Sequence, residues 1–111
     1  GVEWSKVVFH CFADGPNEMR QLMERGGRGS FTGIVTFGNA ENVREAALLQ
    51  GLEKLMLETD SPYLAPIPFR GKSNEPAYLP HIGAYLSKVF GEEEEKLAGI
   101  TTRNTLDFYC L

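Results

Sequence analysis

Glu58 and Asp60 stand at alternate positions in Leu55-Met56-Leu57-Glu58-Thr59-Asp60-Ser61-Pro62. On an extended backbone, residues two apart point the same way. The three apolar residues before them suit a strand covered on both faces, as in a parallel sheet. Ser61-Pro62 ends that strand, because proline has no N–H for the ladder and restricts the residue before it. Two carboxylates are thus delivered at the C-terminal mouth of a buried strand, where parallel α/β folds bind ligands and metals. An acid at this position also serves as an ordinary turn cap.

His10 is the second residue type with chemistry to offer. It lies near the end of the β-branched and aromatic run Lys6-Val7-Val8-Phe9-His10-Cys11-Phe12. Alone, a histidine at a strand end is an ordinary half-buried side chain with one hydrogen bond. Beside Asp60 at the same rim, imidazole and carboxylate suit a divalent metal.

The elements that must position these groups follow from periodicity and punctuation. A strand is expected over 6–12. Asp14-Gly15-Pro16 then opens a helix whose Met19, Leu22 and Met23 form one apolar face, and Gly26-Gly27 stops it. A second strand is expected over 30–34, weakened by Gly29 and Gly33, with Ile34-Val35-Thr36-Phe37 leaving its mouth as a loop. Asn39 is the expected N-cap of a helix running to about Gln50, with Val43, Ala46 and Ala47 inward and Gly51 as the stop. The Leu55 strand is the third. A long proline-bearing loop is expected over 62–77, and loops of this length in a domain are usually functional. A helix over 80–90 follows, with Ile82, Tyr85, Leu86 and Val89 on one stripe and Gly91 at its end. Glu92 to Glu95 suit the first turn of a further helix as a solvated face, and a last helix is expected over 102–109.

Three strand–helix units in succession imply parallel strands and right-handed crossovers. Three strands leave edges that must be covered or paired. The expected fold is therefore α/β, with 1–111 forming the size of the tail of an eight-unit barrel.

Composition bounds the rest. The 111 residues make one domain or part of one, with 42% hydrophobic and 23% charged residues, ordinary for a globular protein. A net charge of −4 gives no basic field that advertises nucleic acid. Bound divalent cations can still present positive charge to phosphates. Cys11 and Cys110 form no CxxC or zinc cluster and are expected to be reduced, largely buried thiols of a cytoplasmic protein. No apolar run reaches transmembrane length and no signal peptide is evident, so no membrane partner is expected. The chain opens on Gly1-Val2-Glu3-Trp4 without an initiating methionine, as processing, a cut or a truncated start would give.

The wording of four segments goes further. Val8-Phe9-His10-Cys11-Phe12, Phe31-Thr32-Gly33-Ile34-Val35-Thr36-Phe37, Leu57-Glu58-Thr59-Asp60-Ser61-Pro62-Tyr63-Leu64-Ala65-Pro66 and Arg70-Gly71-Lys72-Ser73-Asn74-Glu75-Pro76 closely resemble the TatD family of metal-dependent deoxyribonucleases. The resemblance covers essentially the whole chain, but only the last three-eighths of the family's TIM-type (β/α)8 barrel: strands six to eight, their helices and the C-terminal helix. It implies that His10 is the metal ligand after strand six and Asp60 the ligand after strand eight. The family's other ligands belong to its N-terminal part, and His81 matches none of them. The implied activity is phosphodiester hydrolysis of DNA with two divalent ions, Mg, Mn or Zn, in the intact barrel. Asp60 would then ligate one ion and position or deprotonate water. Glu58 would orient a metal ligand without touching the ion itself, or else be an acid in a salt bridge inside the barrel. Arg70, Lys72 and Asn74, in the long loop, would contact substrate phosphates or be ordinary surface groups. Gly27-Arg28-Gly29 departs from the bulkier strand residues usual there, so a short or frayed second strand is expected.

On this reading the isolated chain lacks most of its metal ligands and is catalytically incomplete. Its partners would be DNA and either the missing N-terminal barrel portion or a second copy meeting its open sheet edges. The expected location is the cytoplasm, or the nucleus of a eukaryote. Two alternatives keep the fold: a metal-dependent hydrolase of a non-nucleic substrate, and a non-catalytic half-barrel that self-associates.

Overall fold

A computed structural model describes residues 2–110. Three short parallel strands, β1 (Val8–Phe9), β2 (Arg28–Phe31) and β3 (Met56–Leu57), lie side by side in that order. The registers pair Val8 with Arg28 and Ser30 with Met56. Helix α1 (Pro16–Glu24) connects β1 to β2, and α2 (Glu41–Gln50) connects β2 to β3. Helices α3 (Leu79–Phe90) and α4 (Glu94–Tyr109) follow β3. The expected α/β order with parallel strands is present, so all three strand ends open toward one side.

The local chemistry explains the boundaries. Pro16 opens α1, where its missing N–H costs nothing, and Glu18 Oε1 accepts the Gly15 N–H at 3.0 Å. Met19 and Leu22 of α1 are buried against Phe12 and Phe31, whose rings pack tilted with centroids 5.7 Å apart. From α2 come Val43, Ala46 and Ala47, and from α3 and α4 come Ile82, Leu86 and Leu97. Gly91, at φ +67°, ends α3 in the left-handed conformation that glycine adopts without strain. Among the described residues no helix is long and apolar enough to cross a membrane.

Several expectations about elements need correction. The first strand is only two residues long, because Trp4–Lys6 wind into a 3-10 turn before it. The second starts at Arg28 rather than Ser30; at four residues it is short, as expected, yet the longest of the three. Gly29 is tolerated in it because a side chain takes the place of a neighbouring strand. Gln50 Oε1 accepts the Gly29 N–H at 2.7 Å, and Gln50 Nε2 donates to the Gly29 carbonyl at 3.2 Å. A Cβ at Gly29 would press on the Phe12 ring at 3.0 Å, so the absent side chain also makes room for the core. Gly33–Thr36 form a 3-10 turn, and Ala40 rather than Asn39 precedes α2. The last two expected helices are one, α4, whose Leu97, Thr101 and Asn104 lie buried at helical spacing along one face. Cys11 is half-buried, but Cys110 is exposed; both thiols are free.

The Gln50 contact has a measurable weight. Gln50→Ala leaves a buried donor and a buried acceptor on Gly29 unpaired, at roughly 1–3 kcal/mol each. A loss of about 2–4 kcal/mol in urea or thermal unfolding is expected. A loss below about 0.5 kcal/mol, typical of a surface change, would show that water replaces the carboxamide.

Candidate metal centre at the strand mouth

Parallel pairing puts the residues that follow β1 and β3 at the same end of the sheet. His10 and Cys11 leave β1, while Glu58, Thr59 and Asp60 leave β3. The Glu58 N–H still donates to the Phe31 carbonyl at 2.8 Å, so this position is held by the sheet ladder although the strand formally ends at Leu57.

Glu58 joins the two strand ends. Its Oε2 accepts the Cys11 backbone N–H at 2.9 Å and lies 3.4 Å from His10 Nδ1. The first is an ordinary hydrogen bond and the second a long one. The His10 side chain is 65% exposed against 22% for Glu58, so this pair contributes little to stability. Its consequence is orientation. With Nδ1 turned to the carboxylate, Nε2 is left for a ligand, the arrangement usual for metal-binding histidines.

Asp60 and Cys11 share an uncommon backbone state, with φ +54° and +51°. Aspartate tolerates the left-handed region better than most residues, because its short polar side chain bonds locally. Asp60 is exposed, and its carboxylate takes no hydrogen bond or ion pair among the described residues. The Cys11 thiol is pushed above its usual range, mainly by burial. A hydrogen bond with Thr32 opposes that shift, and the charges of Asp60 and then Glu58 add to it. The thiol is thus neutral at neutral pH.

The donor set suits a hard or borderline divalent ion: one imidazole and one free carboxylate at one rim. It supplies two ligands where such ions take four or more. Among the described residues no group of three or more His, Cys, Asp or Glu side chains comes together to hold a metal. His10 and Asp60 therefore fit as part of a site, not as a whole one.

The long loop is less free than its composition implies. Thr36 Oγ1 accepts the Ile67 N–H at 2.9 Å and donates to the Gly33 carbonyl at 2.7 Å. A Cβ on Gly33 would run into the Leu64 carbonyl oxygen, so glycine is required where the two loops touch. Arg44 donates to the Val35 and Phe37 carbonyls at 3.0 and 2.7 Å and so fixes the wall on which the loop rests. The Arg70 guanidinium lies 3.9 Å from the centroid of the Phe37 ring, exposed and stacked on that wall. Lys72 is exposed. His81 lies on α3, edge-on to the Phe69 ring at 5.0 Å, part of an aromatic anchor with Tyr78.

Asn74 requires correction as a phosphate contact. It is only 5% exposed. Its Nδ2 donates to the carbonyls of Thr59 and Tyr63 at 2.7 and 2.9 Å, and its Oδ1 accepts the Glu75 N–H at 2.9 Å. Both donors are spent inside the protein.

Comparison with known proteins adds the following. The family model of TatD related DNase matches residues 1–110. The uncharacterized metal-dependent hydrolase YcfH of Escherichia coli K12 is 46% identical over 97 residues, which are 87% of this chain and 37% of that protein. The uncharacterized metal-dependent hydrolase TatD of Mycobacterium tuberculosis is 39% identical over 105 residues, 95% of this chain and 40% of that protein. The crystal structure of YjjV, a TatD homolog from Escherichia coli K12, superimposes with a TM-score of 0.82 at 25% identity, over 91% of this chain and 39% of that one. The chain thus spans well under half the length of these relatives.

Proposed function

This chain belongs to the TatD-related DNase family, and on that premise we propose that it forms the C-terminal three strand–helix units of a (β/α)8-barrel enzyme that hydrolyses phosphodiester bonds in DNA with divalent metal ions. The observation that carries the reading is the junction at the strand mouth. Glu58 holds the Cys11 amide and faces His10, two residues before the free carboxylate of Asp60.

Two divalent cations, Mg, Mn or Zn, supply water activation and charge neutralisation when bound. Asp60 would hold one cation through its carboxylate and would position or deprotonate the water. His10 would hold the other through Nε2. Glu58 keeps His10 in the tautomer and orientation that this requires. Lys72 and Arg70 lie on the loop that leaves Asp60, and their charges meet substrate phosphates. The remaining ligands belong to the preceding units of the barrel. Those units would pair with the free edge of β3 and cover the open apolar groove of about 340 Å³ formed by Leu57, Leu79, Gly83, Leu97 and Thr101. In the half-barrel alternative a second copy covers the same groove.

The two loop cations favour phosphate over the amide or ester substrates open to other metal-dependent hydrolases. The test is single-stranded DNA hydrolysis by the full-length enzyme across Mg²⁺, Mn²⁺ and salt titrations. Lys72→Ala is expected to raise KM about tenfold with kcat little changed, and to lower the salt slope by about one. Turnover of small amides or esters without DNA hydrolysis would favour the other substrate class. An unchanged KM and salt slope would remove Lys72 from the interface.

A further inference from the structure

We propose that Asn74 is a positioning residue for Asp60, an assignment that rests on reading Asp60 as the metal-holding carboxylate. One carboxamide bridges the backbone on both sides of Asp60. Asn74 Nδ2 donates to the Thr59 carbonyl at 2.7 Å and to the Tyr63 carbonyl at 2.9 Å. Its own backbone N–H donates to the Pro62 carbonyl at 2.9 Å. Inside this bracket the Tyr63 N–H donates to the Asp60 carbonyl at 2.9 Å, and the Ser61 hydroxyl lies 2.9 Å from Thr59 Oγ1. The turn from Thr59 to Tyr63 is therefore fixed at both ends by a single side chain, with Asp60 in the left-handed region between them.

The chemistry requires asparagine. Two carbonyls must be met by two N–H donors on one atom, and a carboxylate has no donor to give. Asn74 itself is only 5% exposed, so removing its amide takes both donors from the Thr59 and Tyr63 carbonyls at once. Asn74 lies 14 positions after Asp60. It therefore also joins the end of the Arg70–Lys72 loop to its start. A misplacement of about 1 Å at a reacting group can cost about a hundredfold in rate, so holding this turn is a catalytic requirement as well as a structural one.

The decisive comparison sets Asn74 against Thr36, which fastens the same loop through Ile67 but does not bracket Asp60. Asn74→Ala, Asn74→Asp and Thr36→Ala are made in the full-length enzyme. Hydrogen–deuterium exchange is followed over 59–64, with Mn²⁺ dependence and steady-state kinetics on single-stranded DNA. Both Asn74 variants are expected to exchange faster over 59–64. They should need about tenfold more Mn²⁺ for half-maximal turnover and lose about a hundredfold in kcat, with KM little changed. Thr36→Ala should lower the unfolding temperature while leaving kcat and the Mn²⁺ requirement at parental values. Asn74→Ser keeps one donor, is expected to fall between, and serves if Asn74→Ala does not fold. Asn74 variants that lose only thermal stability would overturn the proposal. Unchanged exchange over 59–64 would overturn it whatever Asp60 does. Full turnover by Asp60→Asn would instead remove the reading of Asp60, a separate outcome that leaves the exchange result standing.

Discussion

Asp60→Asn is expected to lower DNA hydrolysis by about a thousandfold or more, within the range that positioned acid–base groups contribute, while the fold stays nearly unchanged. Asparagine keeps the shape and one acceptor oxygen but loses the charge that holds a cation and the basicity that takes a proton. The backbone should not object. Asp60 sits at φ +54°, and asparagine tolerates that region as aspartate does. The side chain is exposed and makes no hydrogen bond among the described residues, so nothing structural is lost. The unfolding free energy should move by less than about 0.5 kcal/mol. Turnover on single-stranded DNA, with thermal unfolding as control, reads both halves. Near-parental turnover would mean that Asp60 only shapes the turn before Pro62.

Glu58 carries the second large effect. Glu58→Ala should weaken Mn²⁺ binding about 10- to 100-fold, the usual weight of a group that orients a metal-binding histidine. Glu58→Gln should do less harm, since its amide oxygen still accepts the Cys11 N–H. If Glu58 acts through His10, adding Glu58→Ala to a His10→Ala background should cost little more, and the two effects will not add. Additive losses would instead make Glu58 an independent contributor to the site. Excess Mn²⁺ should restore part of the activity in either single variant, as mass action requires of a weakened site.

The residues at the strand mouth were legible because the pattern there is strong. An apolar run, two acids in alternation and a proline stop predict both carboxylates on one extended strand end. The structure ends β3 at Leu57 and turns Asp60 into the left-handed region, so the shared direction does not hold although the mouth does. Gln50 was invisible for the opposite reason. Its side chain completes a strand neighbour for Gly29, 21 residues away, and no local periodicity announces such a contact. From sequence, Gly29 weakens the second strand and the strand begins at Ser30; in the structure it begins two residues earlier, at Arg28. Asn74 makes a second contact of this kind. It sits between a basic run and Glu75-Pro76, which looks like exposed loop, yet its carboxamide turns inward to carbonyls on the far side of the loop. The sequence predicts two helices where α4 runs unbroken through Gly99 and the Thr101-Thr102 pair, poor helix formers by intrinsic propensity. Burial of Leu97, Thr101 and Asn104 outweighs that propensity, and Asn104 donates to the Leu52 and Leu55 carbonyls at 2.8 and 2.9 Å, fastening the helix to the start of β3.

The most direct test of the centre is anomalous scattering from crystals of the full-length enzyme grown with Mn²⁺. Two anomalous peaks are expected, one at roughly 2.0–2.3 Å from His10 Nε2 and the other at a similar distance from an Asp60 carboxylate oxygen, with Glu58 on the Nδ1 side of the imidazole. Well-occupied Mn²⁺ elsewhere in the barrel, with His10 and Asp60 both unliganded, would contradict the assignment of this strand mouth as the metal centre.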